Sequence, residues 1–290
     1  MTEAKQIICI KWGTKFGPEY VNRLHGMIAR NITPPFRLVC FTDDGAGLHP
    51  DIAVRPLPDF DYTAPTNTLG KWPKSRLWGD LGDITGTVLF LDLDVVIVGN
   101  LDDFFTFGDP DDTVLATNPA RIKPFEKLGQ TSVYRMRVGT LAPLQRIFAA
   151  DPQGIADEYR FEQRFVTRRA PGGVRFWPKG WVVHFRADCV PAFPARYWRA
   201  PRIPRGARIV IFAGSLNPPD AILGRWSEKD TPRDPADHLR AAMDGRRRES
   251  LPRHLRLHEL FDGDAPATDP VTGRRLVLGN ADVRISYVVA

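Results

Sequence analysis

Two aspartates one residue apart, Asp92 and Asp94, interrupt an apolar run, TVLFLDLDVVIV, that otherwise reads as a buried strand. A buried strand excludes unpaired carboxylates, because an ionised group stripped of water must find a counter-charge. Alternate residues of a strand point to the same side. Two carboxylates placed that way repel each other unless a cation lies between them. Their hard oxygens select Mg2+ or Mn2+ over softer metals. Such an ion grips a diphosphate and neutralises the charge that develops as it leaves. The matching chemistry is nucleotide-sugar or nucleotidyl transfer. The bland alternative is a strand-end pair solvated in a loop. Asp-x-Asp alone is common by chance; at the end of an apolar run, well downstream of a strand–loop–helix opening, it is far more specific.

The elements that must position these residues alternate. Residues 6–12 (QIICIKW) read as a buried strand followed by a Gly/Pro loop. Pro18 then opens a helix with Tyr20, Leu24, Met27 and Ile28 at helical spacing. Residues 36–42 and 52–57 are further strands, and 59–70 a polar, Pro-containing loop. The segment PKSRLWGDLGDI predicts a helix opened by Pro73, with Leu77, Leu81 and Ile84 on one face. Beyond Asp109, strands are expected at 114–117, 132–138, 174–177, 181–185 and 207–214. Helices are expected at 141–150, 161–169 and over PDAILGRW. Strands alternating with helices imply an α/β, mainly parallel, Rossmann-like sheet flanked by helices, with ligands at the strands' carboxyl ends. Residues 227–270 are rich in Pro, Asp and Arg with little periodicity, and the end of the chain reads as a hairpin around Gly279-Asn280. The expected organisation is one domain over 1–226 and an irregular extension over 227–290.

Composition narrows the partners. The 290 residues carry a formal charge of +6, with 31 Arg against 9 Lys. That balance favours anionic partners. Five arginines fall within 196–208, and Arg246-Arg247-Arg248 leads into Arg253 and Arg256. No nucleic-acid-binding motif accompanies them, so nucleic acid is not expected. Peripheral contact of the basic C-terminal region with an anionic membrane is. No apolar run is long enough to cross a bilayer, and the opening MTEAKQIICIKW lacks the pattern of a secretory signal. The expected location is the cytoplasm. Cys9, Cys40 and Cys189 show no CxxC spacing and read as buried free thiols. No GxSxG, HExxH or Gly-rich phosphate loop with a nearby Lys is present.

LFLDLDVVIVGNLDDFF resembles the DxD region of family 8 glycosyltransferases and their bacterial relatives. SRLWGDLGDITGTVLFLD is similar to that family's Arg-Leu helix before the strand, QTSVYRMR to its Asn-Ser-Gly-Val sugar-binding strand, and FEQRFV to its Asp-Gln segment. KWGTKFGPEYVNRL and FRLVCFTDD resemble the opening of bacterial members. The resemblance spans residues 6–226. It implies a GT-A fold, a nucleotide-diphospho-sugar donor (UDP most often), Mn2+ or Mg2+, and retention at the anomeric carbon. By the same resemblance Asp92, Leu93 and Asp94 meet the donor and the metal, Arg76 takes the donor-binding arginine position, and Gln130 the sugar-binding Asn position. Glu162 and Gln163 become the catalytic pair, positioning the sugar or stabilising charge at its anomeric carbon. Lys11, Trp12 and Thr14, at the carboxyl end of the first strand, are placed to meet a base and phosphates.

The chain also departs from that pattern. The family's late His-x-x-Gly-x-x-Lys-Pro-Trp segment completes the metal site and meets the diphosphate. Here the matching stretch is Ile211-Phe212-Ala213-Gly214-Ser215-Leu216-Asn217-Pro218-Pro219: the His is absent, the Lys is Asn217 and the Trp is Pro219. His184, in WVVHFR, is a possible substitute ligand. The expectation is a transferase in bacterial polysaccharide biosynthesis that moves a sugar to a glycan, lipopolysaccharide or lipid-linked acceptor. The alternatives are a degenerate nucleotide- or sugar-binding relative, or a sugar nucleotidyltransferase.

Overall fold

The structure is a computed structural model that describes residues 4–222, except 67, 69, 120–125, 194, 196–198, 200 and 215. The expectations for 227–270, for the terminal hairpin and for the second half of PDAILGRW lie outside the described residues. Packing divides the chain into two compact units. One takes Met1–Leu93 and Asn100–Val182, the other Asp94–Gly99 and the chain from Val183 onward.

Among the described residues ten strands form: β1 (Lys5–Lys11), β2 (Phe36–Thr42), β3 (Ala53–Arg55), β4 (Thr87–Leu91), β5 (Val96–Ile97), β6 (Val114–Thr117), β7 (Gly129–Arg137), β8 (Arg175–Phe176), β9 (Val182–His184) and β10 (Ile209–Ile211). The first unit holds a seven-stranded sheet in the order β3-β2-β1-β4-β7-β6-β8. β1–β2, β2–β3, β1–β4 and β6–β8 run parallel, while β7 is antiparallel to both neighbours. The expected mainly parallel α/β sheet is therefore present. β1 and β4 are near-continuous apolar runs because helices and loops cover both faces of a parallel sheet.

The helices are α1 (Pro18–Asn31), α2 (Asp103–Thr106), α3 (Ala142–Ala150), α4 (Pro152–Tyr159), α5 (Glu162–Arg169) and α6 (Pro218–Ile222). α1 buries Val21, Leu24, Met27 and Ile28, so Val21 rather than Tyr20 heads its apolar stripe. α4 was not expected from the sequence. Asp151 caps it by accepting the Gly154 N–H at 2.9 Å, with Pro152 in the first turn. One core cluster joins Ile8, Ile10, Phe90 and Tyr134 of the sheet to Phe148, Tyr159 and Phe165 of the helices. Trp72 stacks on Phe148 within it, ring centroids 4.7 Å apart.

Three local expectations change. The helix expected over PKSRLWGDLGDI is a short 3-10 helix, Trp72–Leu77, followed by an isolated Leu81↔Ile84 bridge. Gly82 sits at φ +70, a left-handed conformation that no helix continues through. β3 stops at Arg55 because Pro56 cannot donate to the ladder. The apolar run around the aspartates is not one strand. β4 ends at Leu91, residues 92–95 leave the ladder, and β5 joins a separate sheet. Both aspartates thus lie past the strand end, and the alternation that would aim them alike does not operate there.

The second unit carries a three-stranded sheet, β5-β10-β9, with β10 antiparallel to β5 through Ile209↔Ile97 and Val210↔Val96. Phe185 and Phe212 stack at 5.1 Å, and the Asp220 carboxylate accepts the Asn217 N–H at 3.0 Å ahead of α6. No helix among the described residues is long and apolar enough to cross a membrane.

All three cysteines are buried and free. Cys9 and Cys40 are register partners on β1 and β2, and burial pushes the Cys189 thiol up to about 12. Ellman's reagent at pH 8 is therefore expected to titrate none of the three in the native protein and all three in guanidinium chloride. Prompt native labelling would contradict this packing.

Candidate functional site

The sheet order reverses between β1 and β4: β2 and β3 lie to one side of β1, β4 and β7 to the other. At such a switch the loops leaving the two strands diverge and open a crevice beyond their carboxyl ends, where ligands bind in open α/β sheets. β1 ends at Lys11 and β4 at Leu91, so Lys11–Thr14 and Asp92 emerge at that edge.

Asp92 is anchored by its own backbone, whose N–H donates to Ser132 O on β7 at 2.9 Å. Its carboxylate meets the ammonium of Lys74, with Nζ 2.7 Å from Oδ1 and 2.8 Å from Oδ2. Lys74 lies in the 3-10 helix and is only 4% exposed. The same Nζ is 4.0 Å from Glu162 Oε1 and 3.4 Å from the Thr131 carbonyl. It also stands 5.3 Å from the centroid of the Phe90 ring. Glu162, in the first turn of α5, is fixed at both oxygens: Oε1 accepts from Thr131 Oγ1 at 3.1 Å, and Oε2 from the Lys71 N–H at 2.8 Å. One buried ammonium thus joins two carboxylates that lie 70 residues apart in the sequence. A buried ion pair persists only where hydrogen bonds satisfy its remaining atoms, which is the case here. Tyr134 lies in the same region: burial first, and then the charges of Asp92 and Glu162, hold its phenol well above the ordinary value. It remains a neutral hydroxyl.

The other expected residues have separate surroundings. Lys11 is buried and its Nζ donates to Asp44 O at 2.9 Å; Gly13 N–H donates to Asp43 Oδ2 at 2.8 Å. These contacts tie the β1 loop to the β2 loop. Trp12 packs half-buried against the core, and Thr14 is exposed. Gln130 Oε1 accepts from the Ser132 N–H at 3.1 Å, two residues from the Asp92 anchor. Gln163 is half-buried beside Glu162, and its main-chain carbonyl accepts from Thr167 Oγ1 at 2.6 Å. Arg76 turns toward the 58–62 loop, donating to Pro58 O at 2.9 Å and lying over the Tyr62 ring at 5.6 Å. Leu93 is buried. Asp94 is half-exposed and opens the other unit's first segment, and His184 is buried on β9. The structure therefore brings Asp92, Glu162 and Gln130 around the start of β7, and gives Arg76 different partners.

The cation on Asp92, Lys74, was missed in the sequence, as was Thr131. A signal for Lys74 existed. It lies three residues before Leu77, on the apolar face expected of that segment, where a lysine requires a partner. Asp92 offers the hard oxygen donor that Mg2+ or Mn2+ takes, and an ion held there would share its two oxygens with the Lys74 ammonium, which lies 2.7 and 2.8 Å from them.

No family model matches the sequence, and no curated protein matches it. Solved structures do. An active-site Gln-to-Glu mutant of LgtC superposes with a TM-score of 0.50 at 12% identity, covering 82% of this chain and 95% of that one. The apo structure of WbbM, a bifunctional glycosyltransferase, gives 0.52 at 13% identity over 83% of this chain and 52% of its own. The apo form of the glycosyltransferase GlyE from Streptococcus pneumoniae TIGR4 gives 0.50 at 9% identity over 83% and 60%. The fold is of the GT-A type. Within it, β4 is the central strand of the seven, and Asp92 is the first residue beyond its carboxyl end. This chain spans nearly all of LgtC but about half of WbbM.

Proposed function

We propose that this protein is a glycosyltransferase that moves a sugar from a nucleotide-diphospho-sugar, UDP-linked first among them, to a glycan, lipopolysaccharide or other lipid-linked acceptor. The observation that carries this reading is the meeting of Asp92, the first residue past β4 at the topological switch of a GT-A sheet, with the buried Lys74 and Glu162. A Mg2+ or Mn2+ ion held at Asp92, with Asp94 as its partner in the motif, would neutralise charge on the departing diphosphate. Lys74 holds the Asp92 carboxylate in one orientation before donor arrives, so that ligand is preorganised. Glu162 fixes the segment around Lys71 and the start of β7, and so positions Gln130 and Gln163 for the sugar. Gln163 is the residue the sequence resemblance aligns with the Gln of the Asp-Gln segment, and retention at the anomeric carbon belongs to the same reading. Lys11, Trp12 and Thr14 supply the nucleotide end of the crevice. A cytoplasmic protein working on polysaccharide precursors, touching a membrane through its basic C-terminal arginines, is consistent with the charge pattern.

Ala213 and Asn217 favour a second reading, a relative that binds nucleotide sugars and transfers little. Calorimetry with UDP, with and without Mn2+, followed by donor hydrolysis across several nucleotide sugars, separates the two. The proposal expects UDP to bind at least ten-fold more tightly with Mn2+, and one donor to be hydrolysed. Equal UDP affinity with and without the ion rejects the metal-assisted site, and tight binding without hydrolysis selects the binding relative. Release of pyrophosphate from a nucleoside triphosphate and a sugar phosphate would identify a nucleotidyltransferase instead.

A further inference from the structure

A second, chemically different cluster lies on the first unit, away from the Asp92 assembly in both sequence and ligand type. His25 is on α1; His49 and Asp51 are on the loop between β2 and β3. Their ligand atoms all fall within 4.8 Å of one another. Among the described residues this is the one group of three or more His, Cys, Asp or Glu side chains that close. The imidazoles stack at 5.1 Å with their planes 23° apart, and His49 Nδ1 is 3.7 Å from Asp51 Oδ2. Bonds of roughly 2.0–2.2 Å to a tetrahedral ion put ligand atoms about 3.4 Å apart, so small side-chain rotations close the shell.

The backbone beneath the cluster is clamped. The Asn22 side chain, one turn before His25, donates to Gly47 O at 2.9 Å and accepts the His49 N–H at 2.8 Å. The Ile52 N–H closes the far side of the turn on His49 O at 3.0 Å, and the Asp51 N–H donates to His49 Nδ1 at 3.3 Å. Phe36 backs His25 at 5.8 Å. The loop carrying two ligands is therefore held against the helix carrying the third by contacts that need no metal. His49 and Asp51 are exposed and His25 is half-buried, so the remaining coordination positions face water.

We propose that His25, His49 and Asp51 form a surface site for a borderline first-row divalent ion, of which Zn2+, Ni2+ and Co2+ are the chemical class. Two imidazoles and one carboxylate suit these ions, whereas the all-oxygen preference of Mg2+ and Mn2+ sends those ions elsewhere. The bound ion cross-links the β2–β3 loop to α1. This proposal does not depend on the glycosyltransferase reading.

The test uses the full chain without an affinity tag, stripped with EDTA. Co2+ is titrated by its visible ligand-field bands, and Zn2+ by calorimetry and competition. One Co2+ equivalent with nitrogen-ligated, low-coordinate bands is expected, displaced by Zn2+. A hundredfold excess of Zn2+ over its Kd is expected to raise Tm by about 9 °C. His25→Gln and His49→Gln should each weaken Co2+ affinity at least ten-fold while leaving the metal-free Tm unchanged, and Asp92→Asn should leave Co2+ affinity as it is. Absence of the bands, or affinity that survives both histidine substitutions, overturns the proposal; the second result would assign the metal to other histidines of the chain. A loss in Asp92→Asn with none in the histidine variants would do the same.

Discussion

Lys74→Met is expected to cost about 3 kcal/mol of stability and to abolish sugar transfer. The substitution keeps the length and apolar stem of the side chain, so the loss measures the ammonium and not a cavity. Without it, Asp92 and Glu162 are two carboxylates around a buried point with no counter-charge. Glu162 keeps the Thr131 hydroxyl and the Lys71 N–H, whereas Asp92 loses the ammonium that meets both of its oxygens. A fall in Tm of about 10 °C follows for a domain of this size. Urea denaturation of wild type and variant gives the difference directly, and donor hydrolysis gives the activity. A variant as stable as the parent would mean that the ammonium is not charge-compensating these carboxylates. Arg76→Met serves as the control: its guanidinium serves a half-exposed loop contact, and it is expected to lose far less stability.

Asp92→Asn is the complementary change, almost isosteric and one negative charge poorer. Transfer, or donor hydrolysis where the acceptor is unidentified, is expected to fall at least about 100-fold, the usual cost of losing one preorganised electrostatic contact. Stability should change much less than in Lys74→Met. The Asn oxygen still accepts from Lys74, and the ammonium retains Glu162 nearby and the Thr131 carbonyl. The Mn2+-dependent gain in UDP affinity should vanish in this variant while metal-free UDP binding persists. Wild-type turnover in Asp92→Asn would remove Asp92 from the reaction.

The two substitutions mark what was legible in the sequence. The buried strands were, because β1, β2 and β4 are apolar runs with few alternatives. Asp92 was legible because a carboxylate directly after such a run is costly without a purpose. Lys74 was not. The segment from Pro73 reads as an α-helix that puts Lys74 on the face of Leu77, but that spacing does not name Asp92 and Glu162 as the groups its ammonium meets. Glu162 carried a motif, but its partners, the Lys71 N–H and the Thr131 hydroxyl, lie 91 and 31 residues away. Spacing along a chain carries no record of such distances. Arg76 is the converse: the right residue type two positions along, with its side chain turned to Pro58.

The division of the aspartate-bearing run between two sheets has a consequence for how this region can vary. β4 and β5 are each locked in register to partners of their own, Leu89 opposite Arg135 and Ile97 opposite Ile209. A strand's side chains swap faces with every one-residue slip. Residues 92–95 belong to neither ladder, so one residue more or fewer among them leaves both registers as they are. The same change inside β4 or β5 turns the rest of that strand's side chains to the opposite face, so tolerance to length is set by where the ladders end and not by how apolar the run is.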